Sequence, residues 1–305
     1  MTQHSLTLIV LAGGLGSRFG GNKQIAEIPG LGCTIMELSI QDAVKAGVSQ
    51  AVLIINKKIR AEFEATILPR LPESLEVILV EQEISAVPNG YEHLAAERQK
   101  PWGTGHALLC AKPYVNNPAI VITADDYYGE SSFAIISEHF KQHSNWAMVG
   151  YPIKDTLSEE GGVNRGVCSV DSHQHLTDVA EYLDIKLENN VLKGNNPQSE
   201  RLKIADEALG SMSFWGITPS LFNDLEKGFT EFLENTDNGV IKEYYLPNEI
   251  QLAIKDNRQA VTVYTAKESW YGVTYKAELD AIAHTLCQLR RKQNDYPLPL
   301  LAKNK

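Results

Sequence analysis

Short, unbroken apolar runs recur along the chain, separated by longer stretches in which apolar positions return with helical spacing. The first run, residues 6–11, reads as a buried strand and feeds directly into Ala12-Gly13-Gly14-Leu15-Gly16-Ser17-Arg18-Phe19-Gly20-Gly21. Thr34 is placed to cap a helix that runs to about Ala46. Gly47 stops it, and residues 51–55 form the next strand, which completes a βαβ unit. A helix over 59–68, a strand over 75–80, a helix over 104–112 and a strand over 119–123 continue the alternation. Such alternation predicts an α/β fold with a mainly parallel, doubly wound sheet and helices on both faces.

Beyond residue 131 the rhythm changes. A helix ending near His143 and a strand over 147–151 lead into a loop over 155–165 rich in acid and glycine. Runs 166–170 and 176–180 flank Asp171-Ser172-His173-Gln174 and read as a hairpin, so the sheet becomes mixed. A strand over 211–217, a helix from Pro219 to about Asn235, a strand over 261–266 and a helix over 276–292 follow. No linker or repeat divides the chain, so one domain over 1–305 is expected. The polar segment 83–102, with Pro88-Asn89-Gly90 and Pro101, is longer than an ordinary connection and reads as a lid or rim of a site.

Composition narrows the function. Hydrophobic residues make up 43% of the 305 and charged ones 22%, the balance of a globular chain with ample core. The formal charge of −10 repels nucleic acid and anionic membrane, so any anionic ligand must be held by local cations and backbone N–H groups. Cys33, Cys110, Cys168 and Cys287 show no paired spacing, which fits a reducing cytoplasm and neither a disulfide framework nor a zinc site. The run 6–12 has no cationic flank and is too short for a leader core or a membrane span.

The glycine-rich loop fails two better-known templates. Read from Gly14, its third glycine is replaced by Phe19, against a dinucleotide fingerprint; no glycine precedes a Lys-Ser or Lys-Thr pair, against a Walker loop. What remains is a run of backbone donors with two cations, Arg18 and Lys23, fit to converge on a triphosphate. Ile122-Thr123-Ala124-Asp125-Asp126 puts an acidic pair at a buried strand end, on the sheet edge where the loop opens, as a Mg²⁺ ligand requires. Asp126 is equally readable as a turn residue or as support for Asp125. His139 and His143 lack the rest of a zinc motif and read as a solvated helix face. His173 and His175 sit at a hairpin and take the same reading.

Leu11-Ala12-Gly13-Gly14-Leu15-Gly16-Ser17-Arg18 followed by Lys23 resembles the signature of the sugar-1-phosphate nucleotidylyltransferases. Trp102-Gly103-Thr104-Gly105-His106-Ala107 is similar to a segment that packs the nucleotide base in the uridylyltransferases of that group, and Asp125 to the metal-binding strand end of thymidylyltransferases. Thr104 is placed there as both helix cap and donor, and His106 as a structural residue.

The resemblance implies a nucleotide-diphospho-sugar transferase-like fold, with a nucleotide-binding half over about 1–130 and a sugar-binding half over about 131–275. It implies Arg18, Lys23 and Asp125 as catalytic residues, and Leu11, Ala12, Gly13, Gly14, Gly16, Gln82, Gly103 and Thr104 on the nucleotide. Arg165-Gly166-Val167 and Val179-Ala180-Glu181 resemble sugar-contacting strands, giving Gly166 and Glu181 as substrate residues. The family's lysine after the glutamate is missing, with Lys186 as substitute. Trp270-Tyr271-Gly272-Val273-Thr274 resembles the loop that carries a second metal ligand, here a neutral hydroxyl on Thr274. The implied activity is transfer from UTP or dTTP to a sugar 1-phosphate with Mg²⁺. A nucleotide-sugar-binding regulator and a transferase acting on another phosphate are the alternatives. Homo-oligomers are common among such enzymes, and no heptad or apolar stripe singles out an interface.

Overall fold

The computed structural model describes residues 5–14, 23–158, 161–236, 243–273 and 276–292. The first half follows the predicted alternation: β1 (Leu6–Ala12), α1 (Ile35–Lys45), β2 (Val48–Ile55), α2 (Arg60–Thr66), β3 (Glu76–Glu81), α3 (Glu92–Glu97), α4 (Thr104–Cys110), β4 (Ala119–Thr123) and the short β5 (Asp126–Tyr127). Then come α5 (Glu130–Gln142), β6 (Trp146–Pro152), β7 (Val163–Val170), β8 (Leu176–Glu188), β9 (Val191–Asn195), β10 (Arg201–Lys203) and β11 (Leu209–Ile217). The chain closes with α6 (Leu221–Glu234), α7 (Leu246–Lys255), β12 (Val261–Thr265), β13 (Tyr271–Gly272) and α8 (Lys276–Lys292).

Strands β3-β2-β1-β4 run parallel in that spatial order, and β11 joins β4 antiparallel. There the sheet forks. On one side of β11 lies β6, which pairs with β12; on the other, beyond the end of β4, β7 takes over and leads into an antiparallel arm of β8, β9 and β10. The sheet is therefore mixed, as expected, but the hairpin read over 166–180 is the start of a longer arm, and β9, β10, α3 and α7 lie in stretches where no element was expected.

Burial explains the double winding. Along β1, Leu8 and Val10 point into a core with Met36, Phe63, Ile122, Phe133 and Phe214, covered by α1, α2 and α5. The alternate residue Ile9 points into a second core with Leu108, Val121, Trp215, Phe222 and Phe229, covered by α4, α6 and α7. A strand apolar at nearly every position is the sequence of a strand buried on both faces, and each such apolar side chain contributes about 1.5–3 kcal/mol. Thr34 caps α1 as expected and forms a full capping box: Glu37 N–H donates to its hydroxyl at 3.1 Å and Thr34 N–H to the Glu37 carboxylate at 2.7 Å.

A third cluster fastens α8 across α1 and β5, through Leu38, Tyr127, Val273, Leu279 and Leu286. Beside it Arg290 makes a two-pronged ion pair with Asp42, at 2.6 and 2.8 Å, with both side chains buried. His139 departs from the solvated face expected of it. It is buried, with Nε2 2.8 Å from the Asn145 carbonyl and Nδ1 3.1 Å from the Tyr264 hydroxyl, so both nitrogens are used in packing α5 on the sheet. The segment 83–102 is a pinned rim rather than a lid: the Trp102 indole donates to the Ile84 carbonyl at 2.8 Å and His106 Nε2 to the Ala86 carbonyl at 2.7 Å.

Candidate active site

Parallel strands deliver their C-terminal ends to one edge, and there the sequence-predicted residues gather. Leu11 and Ala12 end β1, with Gly13 and Gly14 following. Gln82 follows β3 and Asp125 follows β4. Lys23 forms an ion pair with Asp125, and the next residue, Gln24, donates to the Gly14 carbonyl at 2.7 Å. These two contacts tie the far end of the glycine-rich segment to its near end and to β4. Gly16, Arg18 and Thr274 lie outside the described residues.

Asp125 and Asp126 are divided by environment. The Asp125 side chain is 37% exposed against 12% for Lys23, so the carboxylate faces the cleft. Asp126 points inward, accepting from the Thr123 hydroxyl at 2.7 Å with the Tyr128 hydroxyl at 3.3 Å. Burial first, and then the neighbouring Asp125 charge, push the Asp126 carboxyl up to about 7. β13 pairs with β5, Gly272 opposite Asp126, and the Val273 N–H donates to the Asp125 carbonyl at 3.1 Å, fixing the acidic turn from behind.

On the arm, Gly166 of β7 stands opposite Glu181 of β8. Lys186 is not brought to them. It lies five residues farther along β8, about 16 Å for an extended strand, and its ammonium bonds Asp184 at 3.0 Å. The cation that does stand here is Arg165, which the sequence reading passed over. Its guanidinium donates to the Thr156 hydroxyl and carbonyl at 3.2 and 2.7 Å and to the Asn164 carbonyl at 2.9 Å, and lies 5.0 Å over the Trp270 ring. Burial lowers its pKa against the opposing pull of Asp126 and Glu181, while burial raises that of Glu181 against the pull of Arg165. No spacing rule marks such a residue, because its acids come from two other strands.

Gly103 and Thr104 have neighbours within the chain itself. Gly103 caps α4 with φ +114°, and a Cβ on it would stand 2.5 Å from the Tyr244 carbonyl oxygen. Gly105 N–H donates to that same oxygen at 2.9 Å, and Tyr244 N–H donates to the Trp102 carbonyl at 2.6 Å. Thr104 is the first residue of the helix and not its cap, and its hydroxyl accepts from Leu246 N–H at 3.0 Å. The two glycines thus admit the chain at Tyr244. His106 is structural in this respect, buried and bonded through both nitrogens, to Gln82 and Ala86.

Residues 8–151, from β1 to the penultimate residue of β6, match the family model of the MobA-like NTP transferase domain. That stretch of the chain is similar to such a domain. Solved structures extend the likeness in fold across almost the full length. The chain superposes on the inositol-1-phosphate CTP transferase from T. maritima with a TM-score of 0.61 at 15% identity, covering 94% of this chain and 97% of that one. A UDP-glucose pyrophosphorylase complexed with UDP-glucose gives 0.58 at 16% identity, over 94% and 100%. A putative glucose-1-phosphate thymidylyltransferase from Bacillus anthracis gives 0.61 at 12%, over 92% and 95%. No curated protein matches the chain. Among the described residues no helix is long and apolar enough to cross a membrane.

Proposed function

We propose that the chain transfers a nucleotidyl group from a nucleoside triphosphate, UTP or dTTP for preference, to a sugar 1-phosphate, releasing pyrophosphate. The observation that carries this reading is the Lys23–Asp125 pair, which joins the exit of the glycine-rich segment to the carboxyl end of β4. That edge of a parallel sheet is where phosphate ligands bind in open α/β folds. The work divides between a nucleotide half over about 1–130 and an acceptor half over about 131–275, and the four free cysteines fit a cytoplasmic setting.

In this reading an oxygen of the acceptor phosphate attacks the α-phosphorus, a P–O bond forms, and the bond to the β-phosphate oxygen breaks, leaving its electron pair on pyrophosphate. No protein nucleophile is needed; the chain positions the reactants and balances charge. Arg18, Lys23 and the N–H groups of Gly13, Gly14 and Gly16 hold the phosphates, Leu11, Ala12, Gln82, Gly103 and Thr104 border the nucleoside, and Gly166 and Glu181 face the acceptor. Lys186 keeps its place on Asp184 and stays out of the chemistry.

The donor set suits a divalent cation. Asp125 turns a part-exposed carboxylate outward, with the half-buried Asp126 carboxyl beside it. Among the described residues no three His, Cys, Asp or Glu side chains gather as a metal cage, so Asp125 would share the ion with phosphate and water oxygens. Mg²⁺, when bound there, supplies charge neutralisation for the phosphates.

Pyrophosphate release, measured with a panel of triphosphates against sugar 1-phosphates, inositol phosphate and glycerol phosphate, tests the reading. Turnover with UTP or dTTP and a sugar 1-phosphate supports it. Turnover only with a polyol phosphate moves the acceptor class. Nucleotide binding with no pyrophosphate from any pair refutes transfer.

A further inference from the structure

His106 is buried on α4, beneath the side chain of Gln82. Its Nε2 lies 2.7 Å from the Ala86 carbonyl, a group that only accepts, so Nε2 carries the proton. Burial lowers the pKa of the ring and keeps it neutral, which leaves a lone pair on Nδ1. That lone pair is 3.2 Å from Gln82 Nε2, and the same amide nitrogen is 3.0 Å from the Gly103 carbonyl. Both amide hydrogens are therefore spent. Turning the amide over would set Oε1 against two acceptors at once, so one orientation is held.

In that orientation Oε1 faces the start of the glycine-rich segment, 3.0 Å from where a Cβ on Gly13 would stand. Among the described residues nothing donates to it. A free glutamine offers a base either a donor or an acceptor, whereas this one offers an acceptor alone.

We infer that His106 is a positioning residue for the choice of base. By fixing Gln82 as a pure acceptor it makes the nucleotide pocket favour a base with a ring N–H on its pairing edge, and disfavour one with a ring lone pair there. Uracil and thymine at N3 and guanine at N1 are of the first kind; cytosine at N3 and adenine at N1 are of the second. The inference rests on the nucleotidyl-transfer reading, in which Gln82 borders the base.

The test is equilibrium binding, so it does not depend on finding the acceptor. Calorimetry with Mg²⁺ compares UTP with CTP and GTP with ATP on the full-length wild type, His106→Leu and His106→Asn, with a melting temperature for each. Asparagine puts an accepting oxygen near the place of Nδ1; leucine fills the space without an acceptor. Wild type should prefer UTP over CTP by about tenfold or more, the scale of one buried hydrogen bond made or lost. His106→Leu should cut that ratio to below about threefold, and His106→Asn should restore most of it. A purely structural role would weaken all triphosphates alike and leave the ratio unchanged, which overturns the inference, as does a wild type that prefers CTP. If His106→Leu does not fold, Gln82→Met should abolish the same preference, and a retained preference there is equally fatal. If no triphosphate binds, the nucleotidyl-transfer reading falls as well; if they bind without this preference, only the inference falls.

Discussion

Replacing Arg290 by methionine strands a carboxylate in the core between α1 and α8. Asp42 is 0% exposed and Arg290 1%, and besides their two mutual bonds Arg290 reaches the Leu38 carbonyl at 3.2 Å. Burial outweighs the attraction of Arg290 and raises the Asp42 carboxyl from 3.8 to about 6 even with its partner in place. At about 1.4 kcal/mol per unit, ionised Asp42 already costs the folded state roughly 3 kcal/mol relative to the unfolded chain. Without Arg290 only the weaker attraction of Lys45 opposes that burial, and loss of one partner of such a pair is expected to cost about 3–5 kcal/mol. Exchanging both, Asp42→Leu with Arg290→Met, removes the desolvation together with the attraction and should return to within about 1–2 kcal/mol of wild type.

Urea titrations of wild type, single and double variants give the comparison, and pH gives its sign. Because the folded pKa of Asp42 lies above the unfolded value, its contribution is full below about pH 4 and is lost as pH rises toward 6. Wild-type stability measured against the double variant should therefore fall by about 3 kcal/mol across that window and then level off. In Arg290→Met the fall should continue to higher pH. A single variant that loses less than about 1 kcal/mol, or a double variant no better than the single, would refute the reasoning.

Three further outcomes are expected. Asp125→Asn should fold normally, keep triphosphate affinity within several-fold and lower kcat by at least about 100-fold; wild-type turnover would remove Asp125 from the site. Gly103→Ala meets both the +114° backbone and the Tyr244 carbonyl, so its melting temperature should drop by several degrees, a loss of roughly 2 kcal/mol or more; an unchanged melting curve would mean that the chain at Tyr244 moves aside freely. Arg165→Lys, which loses the planar stack on Trp270 and the two-point hold on Thr156, should raise KM for the acceptor while leaving triphosphate affinity within about twofold; equal weakening of both ligands would make Arg165 a general support of the cleft.

Half of this molecule could be read from its pattern because of where its strands lie. β1, β2 and β4 are buried on both faces, so their sequences are nearly all apolar, and Thr34 with Glu37 announces α1 three residues apart. The arm is different: β8 alternates exposed and half-buried positions around a small core of Ile153, Ile185, Leu192 and Ile204, too diffuse a signal to fix its length. The candidate site was legible where one residue type meets one need, as with the glycine at the end of β1 and the outward carboxylate after β4. It was not where the partner comes from far along the chain. Gly103 is shaped by Tyr244, Lys23 finds Asp125 after 102 positions, and Arg165 answers to acids on two other strands.

β11 faces β4 with Trp215, Gly216 and Ile217, and β7 with Gly210 and Ser211. A single nine-residue strand thus holds both halves in register, while the arm beyond it carries its own core. Under the proposed function, such an arrangement would let the outer arm vary on its own: β9 and β10, which among the described strands pair only with β8 and with each other, can be lengthened or trimmed while the pairing of β11 with β4 stays as it is. In that reading, variation in the acceptor would be uncoupled from the geometry that holds the donor, and a grafted arm that keeps Gly210 and Ser211 is the natural unit for redirecting the proposed chemistry.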